Sequence, residues 1–339
     1  MTIKHANYVI SPEQANSKCY KNTLRQEIEI GRQADEMSMQ TNRINQSEIL
    51  AYKARILGNS NSYKEFADWT HFLISEYGPR QRCLSLGSGI GRVEKYLVSS
   101  HFTDKMETIE LCANENESIR LKDTKINTIS GDLNFIELPE NSYDFVLCHG
   151  VLHHLINLEH VLSQINSSLK EDGIFLVYEY VGETRWQFTE LRLHFLKNAF
   201  PNIKFNQRPA WRVNGFESVR SGELLDLIQS QFKGACERAV NYGGVYFPFI
   251  MCTSSKDDVE MKHVIKLDES ISKDGSLAPC YHMGLYRKNN KSAIPVKQWT
   301  NSILESNLCP QTPLWYRFLD PIRQSSLGPF IRRVKRKIS

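Results

Sequence analysis

The chain has 339 residues, 41% of them apolar and 24% charged, the balance of a globular protein with one large or two modest domains. Its net charge of +4 is unevenly placed: residues 81–290 carry 23 basic and 27 acidic side chains, and residues 291–339 carry 9 and 2. A body with an acidic excess is not built to hold a polyanion, so no nucleic-acid partner is expected, and no run of about 18 apolar residues is present to cross a membrane.

The first residues, MTIKHANYVISPEQANSK, hold no apolar core of signal-peptide length, and a cytoplasmic protein is expected. The eight cysteines never approach a CxxC spacing and several sit in apolar runs, which reads as reduced core thiols. Residues 12–78 read as helical. Ile49, Leu50, Tyr52, Ile56 and Leu57 form one group at helical spacing; Trp69, Phe72, Leu73 and Ile74 form another, and Gly58–Ser62 is a loop between them.

From residue 82 strands and helices alternate. Cys83–Leu86, Glu107–Leu111, Ile126–Ser130, Tyr143–Cys148 and Ile174–Tyr180 read as strands, with helices at Val93–Val98 and Leu155–Leu169. Strands separated by helices imply βαβ units and an α/β, doubly wound, mostly parallel sheet. Thr184–Phe200 has helical spacing, and Ser221–Phe232 reads as a helix with Ser221 as its N-cap. Ala235–Tyr242 and Cys280–Arg287 read as two strands added at the sheet edge. Val245–Cys252 fits either a strand or a helix, because short apolar runs are ambiguous.

The sharpest local signal is Cys83-Leu-Ser-Leu-Gly87-Ser-Gly89-Ile-Gly91-Arg-Val-Glu94. An apolar strand runs into three glycines at alternate positions and then into a helix, whose first N–H groups are free to meet a ligand. The dinucleotide loop G-x-G-x-x-G would need a glycine at position 92, which is Arg. That departure disfavours NAD and FAD and favours a ligand without a pyrophosphate. Glu110 ends the second strand, where an acid takes ribose hydroxyls. Asp132 follows the third strand, where a carboxylate meets an adenine amino group.

Residues 82–182 resemble the class I S-adenosylmethionine-dependent methyltransferases. The likeness rests on Leu86-Gly87-Ser88-Gly89-Ile90-Gly91, on Glu110, on Gly131-Asp132, on Asn141–His149 with Val151-Leu-His-His-Leu155, and on Leu169-Lys170-Glu-Asp-Gly173-Ile-Phe-Leu-Val. It implies a seven-stranded sheet and S-adenosylmethionine as cofactor. By this resemblance Leu86, Gly87, Ser88, Gly89 and Gly91 meet the methionine part, and Glu110 with Leu111 holds the ribose. Gly131, Asp132 and Leu133 face the adenine, and His149 and Gly150 line the methyl-donor end. The implied layout is a helical cap over 1–80, a cofactor-binding domain over 81–290 with a substrate-side insertion at about 181–232, and a basic extension over 291–339.

The segment after the fourth strand separates acceptor classes. It has no Asp/Asn-Pro-Pro-Tyr/Phe and no Pro-Cys nucleophile, which leaves a small-molecule or natural-product acceptor methylated on O or N. A modifier of saccharide or peptide chains, and a cofactor-binding scaffold without transferase activity, are the alternatives. Candidates for a catalytic base are His153, His154 and Glu179. Tyr180, Arg185 and Trp186, just after the fifth strand, are candidates for an acceptor wall. No metal is expected, because His149 and His153 have no third ligand spaced to join them. Residues 328–339 place Phe330, Ile331, Val334 and Ile338 on one face among basic residues, a candidate for peripheral membrane or protein docking.

Overall fold

The computed structural model describes residues 8–40, 52–53, 55–57, 73–89, 91–111, 125–253, 258–289 and 294–309. The expected strands pair into one sheet: β1 (Cys83–Leu86), β2 (Met106–Glu110), β3 (Ile126–Ser130), β4 (Tyr143–His149), β5 (Leu169–Tyr180), β6 (Cys236–Tyr242) and β7 (Tyr281–Arg287). Their order is β3-β2-β1-β4-β5-β7-β6. The pairs among β1–β5 are parallel, and β7 runs antiparallel to both β5 and β6. The central strands read as continuous apolar runs because both faces are covered.

Alternation along each strand splits the core in two. Phe145, Leu147, Ile174, Leu176 and Tyr178 face one layer, with Val93 and Leu97 of α3 (Arg92–Ser99). That layer is completed by α5 (Glu190–Ala199), α7 (Tyr246–Cys252) and α8 (Asp258–Asp274). Leu84, Leu86, Val146, Cys148, Phe175 and Val177 face the other layer, against α4 (Leu158–Ser168) and α6 (Ser221–Gln231). Removing this apolar surface from water is the main drive for both layers.

The N- and C-terminal parts meet over the carboxyl edge of the sheet. Ser11 caps α1 (Pro12–Ala15) in a capping box with Gln14, and α2 (Lys18–Gln40) follows. Val9, Ile10 and Tyr20 pack with Phe216 and Val219, and with Leu304 and Leu308 of α9 (Asn301–Leu308). Trp299 donates its N–H to Val9 O at 2.8 Å.

Several expectations change. Val245–Cys252 is helical. Leu155–Leu169 starts its helix only at Leu158, because Leu152–His154 forms a 3-10 turn and Leu155 is extended. Arg220, not Ser221, is the N-cap of α6; Ser221 is already helical and donates its hydroxyl to Ser218 O at 3.3 Å. Arg220 instead grips Glu159 with paired bonds of 2.7 and 2.8 Å, both side chains buried, which ties α6 to α4.

The cysteine reading also splits. Cys83, Cys148, Cys252 and Cys280 are buried thiols, but Cys236 is exposed and Cys19 is disulfide-bonded to Cys309. Two cysteines 290 positions apart give no spacing signal; the fold alone brings α2 beside the end of α9. Ile49, Leu50, the 58–62 loop, Trp69, Phe72 and the 328–339 segment lie outside the described residues. Among those described, no helix is long and apolar enough to cross a membrane.

Glu94, on the first turn of α3, is buried under the glycine loop and accepts one hydrogen bond, from Ser85 Oγ at 2.6 Å. Burial pushes its carboxyl up to about 7. A raised carboxyl means that the folded state holds a proton that the unfolded chain has lost. The penalty is therefore absent below about pH 4.5 and grows as pH rises towards 7. Glu94→Gln is expected to leave urea stability unchanged at pH 4 and to raise it by a few kcal/mol at pH 8. Equal effects at both pH values would contradict the assignment.

Candidate active site

β1 delivers the chain to the carboxyl edge and the three glycines turn it there. Gly87, Gly89 and Gly91 have φ of 70°, 52° and 67°. A Cβ on Gly87 would lie 2.2 Å from Val151 Cγ2, so the loop passes as close to the segment after β4 as a backbone can. Gly91 is the N-cap of α3. Glu110, at the end of β2, accepts a short hydrogen bond from the Gly89 N–H.

A cavity of about 360 Å³ opens against this loop. Gly87, Gly89, Glu110, Leu111, Asp132, Leu133 and Gly150, all singled out in the sequence, line it together. Leu86, Ser88, Gly91, Gly131 and His149 do not. Leu86 faces the core, Gly91 caps α3, and His149 stacks on Tyr178 at 5.0 Å beside a different cavity. The lid is α2, which contributes Leu24, Glu27, Ile30 and Gly31, joined by Phe216 and Glu217 of the insertion. Tyr20 donates its hydroxyl to Asp132 Oδ2 at 2.6 Å, so α2 and the acid after β3 are tied together. Burial, reinforced by Asp132, pushes the Tyr20 phenol up, which keeps it a donor.

A second cavity, about 200 Å³, lies beyond β5. Tyr178, Tyr180, Trp186, Phe247 and Tyr281 form its aromatic wall, and His149, His153, Glu179 and Glu217 supply polar groups. Gly150 and Glu217 line both cavities, so the two share a wall. Tyr180 and Trp186 stand where the sequence places an acceptor. Arg185 does not: it is buried and donates to the carbonyls of Gly215 (2.8 Å), Glu217 (3.1 Å) and Asn307 (2.8 Å). Its role is to hold the Glu217 backbone, and a guanidinium that points inward is indistinguishable in sequence from one that points out.

Glu179 is 1% exposed at the end of β5. Its Oε1 accepts the Val151 and Leu152 N–H groups at 2.7 and 2.8 Å, and its Oε2 meets His153 Nδ1 at 2.7 Å. Burial pushes this carboxyl up, but His153 and the two backbone donors outweigh it and hold it below the usual range. Glu179 is thus an anion that fixes a turn and a histidine ring. His154 lies 2.8 Å from Glu27 Oε1 and lines the first cavity. Burial alone would push His154 down, yet Glu27 and Glu217 raise it to about 9. His149 and His153 do not share a helix face, because β4 runs to His149 and Gly150 (φ 67°) breaks the chain before the 3-10 turn.

Glu27, Glu217, Phe247 and Tyr281 are site residues that the sequence did not mark. They come from a lid helix, the insertion, α7 and β7, and only the tertiary fold gathers them.

A methyltransferase-domain family model matches residues 59–215. Over 106 residues the chain is 31% identical to the human mitochondrial protein named arginine-hydroxylase NDUFAF5, covering 31% of this chain and 30% of that one. Over 182 residues it is 28% identical to sterol 24-C-methyltransferase erg6 of Aspergillus fumigatus, covering 48% of each. The chain thus spans less than half the length of these curated relatives. A solved S-adenosylmethionine-dependent methyltransferase from Mesorhizobium loti aligns with 66% of this chain and 97% of its own, at 15% identity and a TM-score of 0.39. Residues 59–215 thus match a methyltransferase domain, for which S-adenosylmethionine is the expected methyl donor.

The residues present fit that cofactor. Gly87 and Gly89 line the cavity, a Cβ on Gly89 would meet no atom within 4 Å, and Glu110 stands beside the loop. Four acids, Glu27, Glu110, Asp132 and Glu217, line the cavity and suit a ligand that is cationic at sulfur. Glu110→Ala is expected to weaken S-adenosylmethionine binding about 10- to 100-fold in calorimetry, the loss of one or two charge-assisted hydrogen bonds. Gly87→Ala should abolish it. An unchanged Kd in either variant would contradict this placement.

Proposed function

We propose that the chain methylates an oxygen or nitrogen of a small molecule held in the second cavity, with His153 and Glu179 activating it. The observation that carries this reading is the Glu179–His153 pair on the wall between the two cavities. When bound, S-adenosylmethionine supplies an electrophilic methyl group on a sulfonium, and little covalent help from the protein is needed. The protein's work is alignment and exclusion of water.

His153 donates Nδ1–H to the anionic Glu179, and in the neutral ring this tautomer puts the lone pair on Nε2. That lone pair takes the proton of an acceptor O–H or N–H as the heteroatom's electron pair forms the new bond to carbon. The S–C bond breaks and its electrons stay on sulfur. Tyr178, Trp186, Phe247 and Tyr281 give a flat or apolar acceptor faces to stack on, and leave little room for water. The size of the cavity, about 200 Å³, favours a small molecule over a saccharide or peptide chain.

Glu179→Gln keeps an oxygen for the turn but removes the charge that orients His153. It is expected to lower methyl transfer about 10²- to 10⁴-fold while the S-adenosylmethionine Kd changes less than about 3-fold. The assay is S-adenosylhomocysteine release and a one-methyl mass gain in a metabolite extract. Undiminished turnover in the variant would remove Glu179 and His153 from the chemistry. Cofactor binding with no methylated product in any extract would favour a binding scaffold.

A further inference from the structure

His153 and His154 are adjacent in the 3-10 turn, with ring centroids 4.2 Å apart. Their Nδ1 atoms meet two different carboxylates: His153 is 2.7 Å from Glu179 Oε2 and His154 is 2.8 Å from Glu27 Oε1. Their Nε2 atoms face one and the same carboxylate. His153 Nε2 is 3.6 Å from Glu217 Oε1, and His154 Nε2 is 3.8 Å from Glu217 Oε2. One ligand atom from each of the three residues lies within 4.8 Å of the others.

These separations are too long for hydrogen bonds. They are a few tenths of an ångström wider than the about 3.0 to 3.4 Å at which ligand atoms each about 2.1 Å from a metal stand at octahedral or tetrahedral angles, so a small inward movement would seat an ion. A second observation is independent of that spacing. His153 has its far nitrogen hydrogen-bonded to Glu179, the arrangement that fixes the tautomer and orientation of a metal-ligating histidine, and His154 Nδ1 stands 2.8 Å from Glu27 Oε1.

We propose that His153 Nε2, His154 Nε2 and the Glu217 carboxylate bind one divalent first-row transition-metal ion on the wall between the two cavities. Two imidazoles and one carboxylate suit iron(II) or zinc(II) and leave coordination positions open. His154 and Glu217 line the cofactor cavity, while His153 and Glu217 line the aromatic one, so an ion here stands between donor and acceptor. Its role rests on the acceptor reading given above, although its binding does not. Such an ion would supply Lewis acidity to an acceptor hydroxyl on an open position, and His153 would then act as its ligand rather than as the base.

The test uses the full chain, stripped of metal by chelation and titrated with cobalt(II), which absorbs in the visible when bound by nitrogen and oxygen. One ion per chain is expected, displaced by zinc(II), with no thiolate charge-transfer band. Glu217→Gln and His154→Gln should each weaken binding at least 10-fold, and Glu217→Asp should restore most of it. Glu27→Gln, which removes no ligand, should weaken it about 10- to 100-fold. Circular dichroism reports whether each variant is folded. For any that is not, paramagnetic resonance of the copper(II)-loaded wild type counts coordinating imidazole nitrogens directly, and two are expected. No stoichiometric uptake, uptake unchanged in Glu217→Gln, or fewer than two imidazole nitrogens would overturn the site. S-adenosylmethionine binding and methyl transfer by a chain that takes up no stoichiometric metal would leave the proposed function standing while this inference falls.

Discussion

The site is organised around one buried anion. Glu179 sits at the end of β5, takes two backbone N–H groups from the turn after β4, and holds His153 by its ring. An ionised carboxylate with so little exposure is tolerated only because all three partners are present. Those partners in turn fix Val151 and Leu152 beside Gly150, which lines both the glycine-loop cavity and the aromatic one. Val151 is also the side chain that the Gly87 turn brushes against. The glycine loop, the histidine pair and the acceptor wall are therefore positioned by contacts that meet at one carboxylate.

The second constraint is closure from above. The sheet edge supplies Glu110, Asp132 and Glu179, but the cavity becomes enclosed only when α2 and the insertion cover it. Tyr20 reaches Asp132, and Glu27 reaches both His154 and the Phe216 N–H, at 2.7 Å in the latter case. Arg185 fixes the chain that carries Glu217, and the Cys19–Cys309 bond joins the lid helix to the end of α9. The lid is thus part of the site's electrostatics as well as its roof, since two of the four acids around the cofactor belong to it or to the insertion.

Much of this was legible in the sequence, for identifiable reasons. The strands β1 to β5 are short apolar runs bounded by turn residues, and the glycines at 87, 89 and 91 serve backbone conformations that few other residues adopt. Glu110, Asp132 and Glu179 stand at strand ends, and in an open parallel sheet strand ends face the ligand. What could not be read depended on direction or distance. The sequence places Arg185 beside Trp186 but does not say that one turns inward and the other towards the cavity. It shows His149 and His153 four apart but not that Gly150 interrupts the helix between them. Glu27 and Glu217 carry no local signal, because their role exists only once residues nearly two hundred positions apart are folded together.

The central claim is that two cavities with distinct roles share the wall that Glu179 builds. A crystal structure with S-adenosylhomocysteine tests it most directly. The account predicts ribose hydroxyls on the Glu110 carboxylate, adenine beside Leu111, Asp132 and Leu133, and the sulfur at the Gly87 and Gly150 end, directed to the aromatic cavity. A nucleoside lying away from Glu110, or a sulfur directed away from Gly150 and His153, would contradict it.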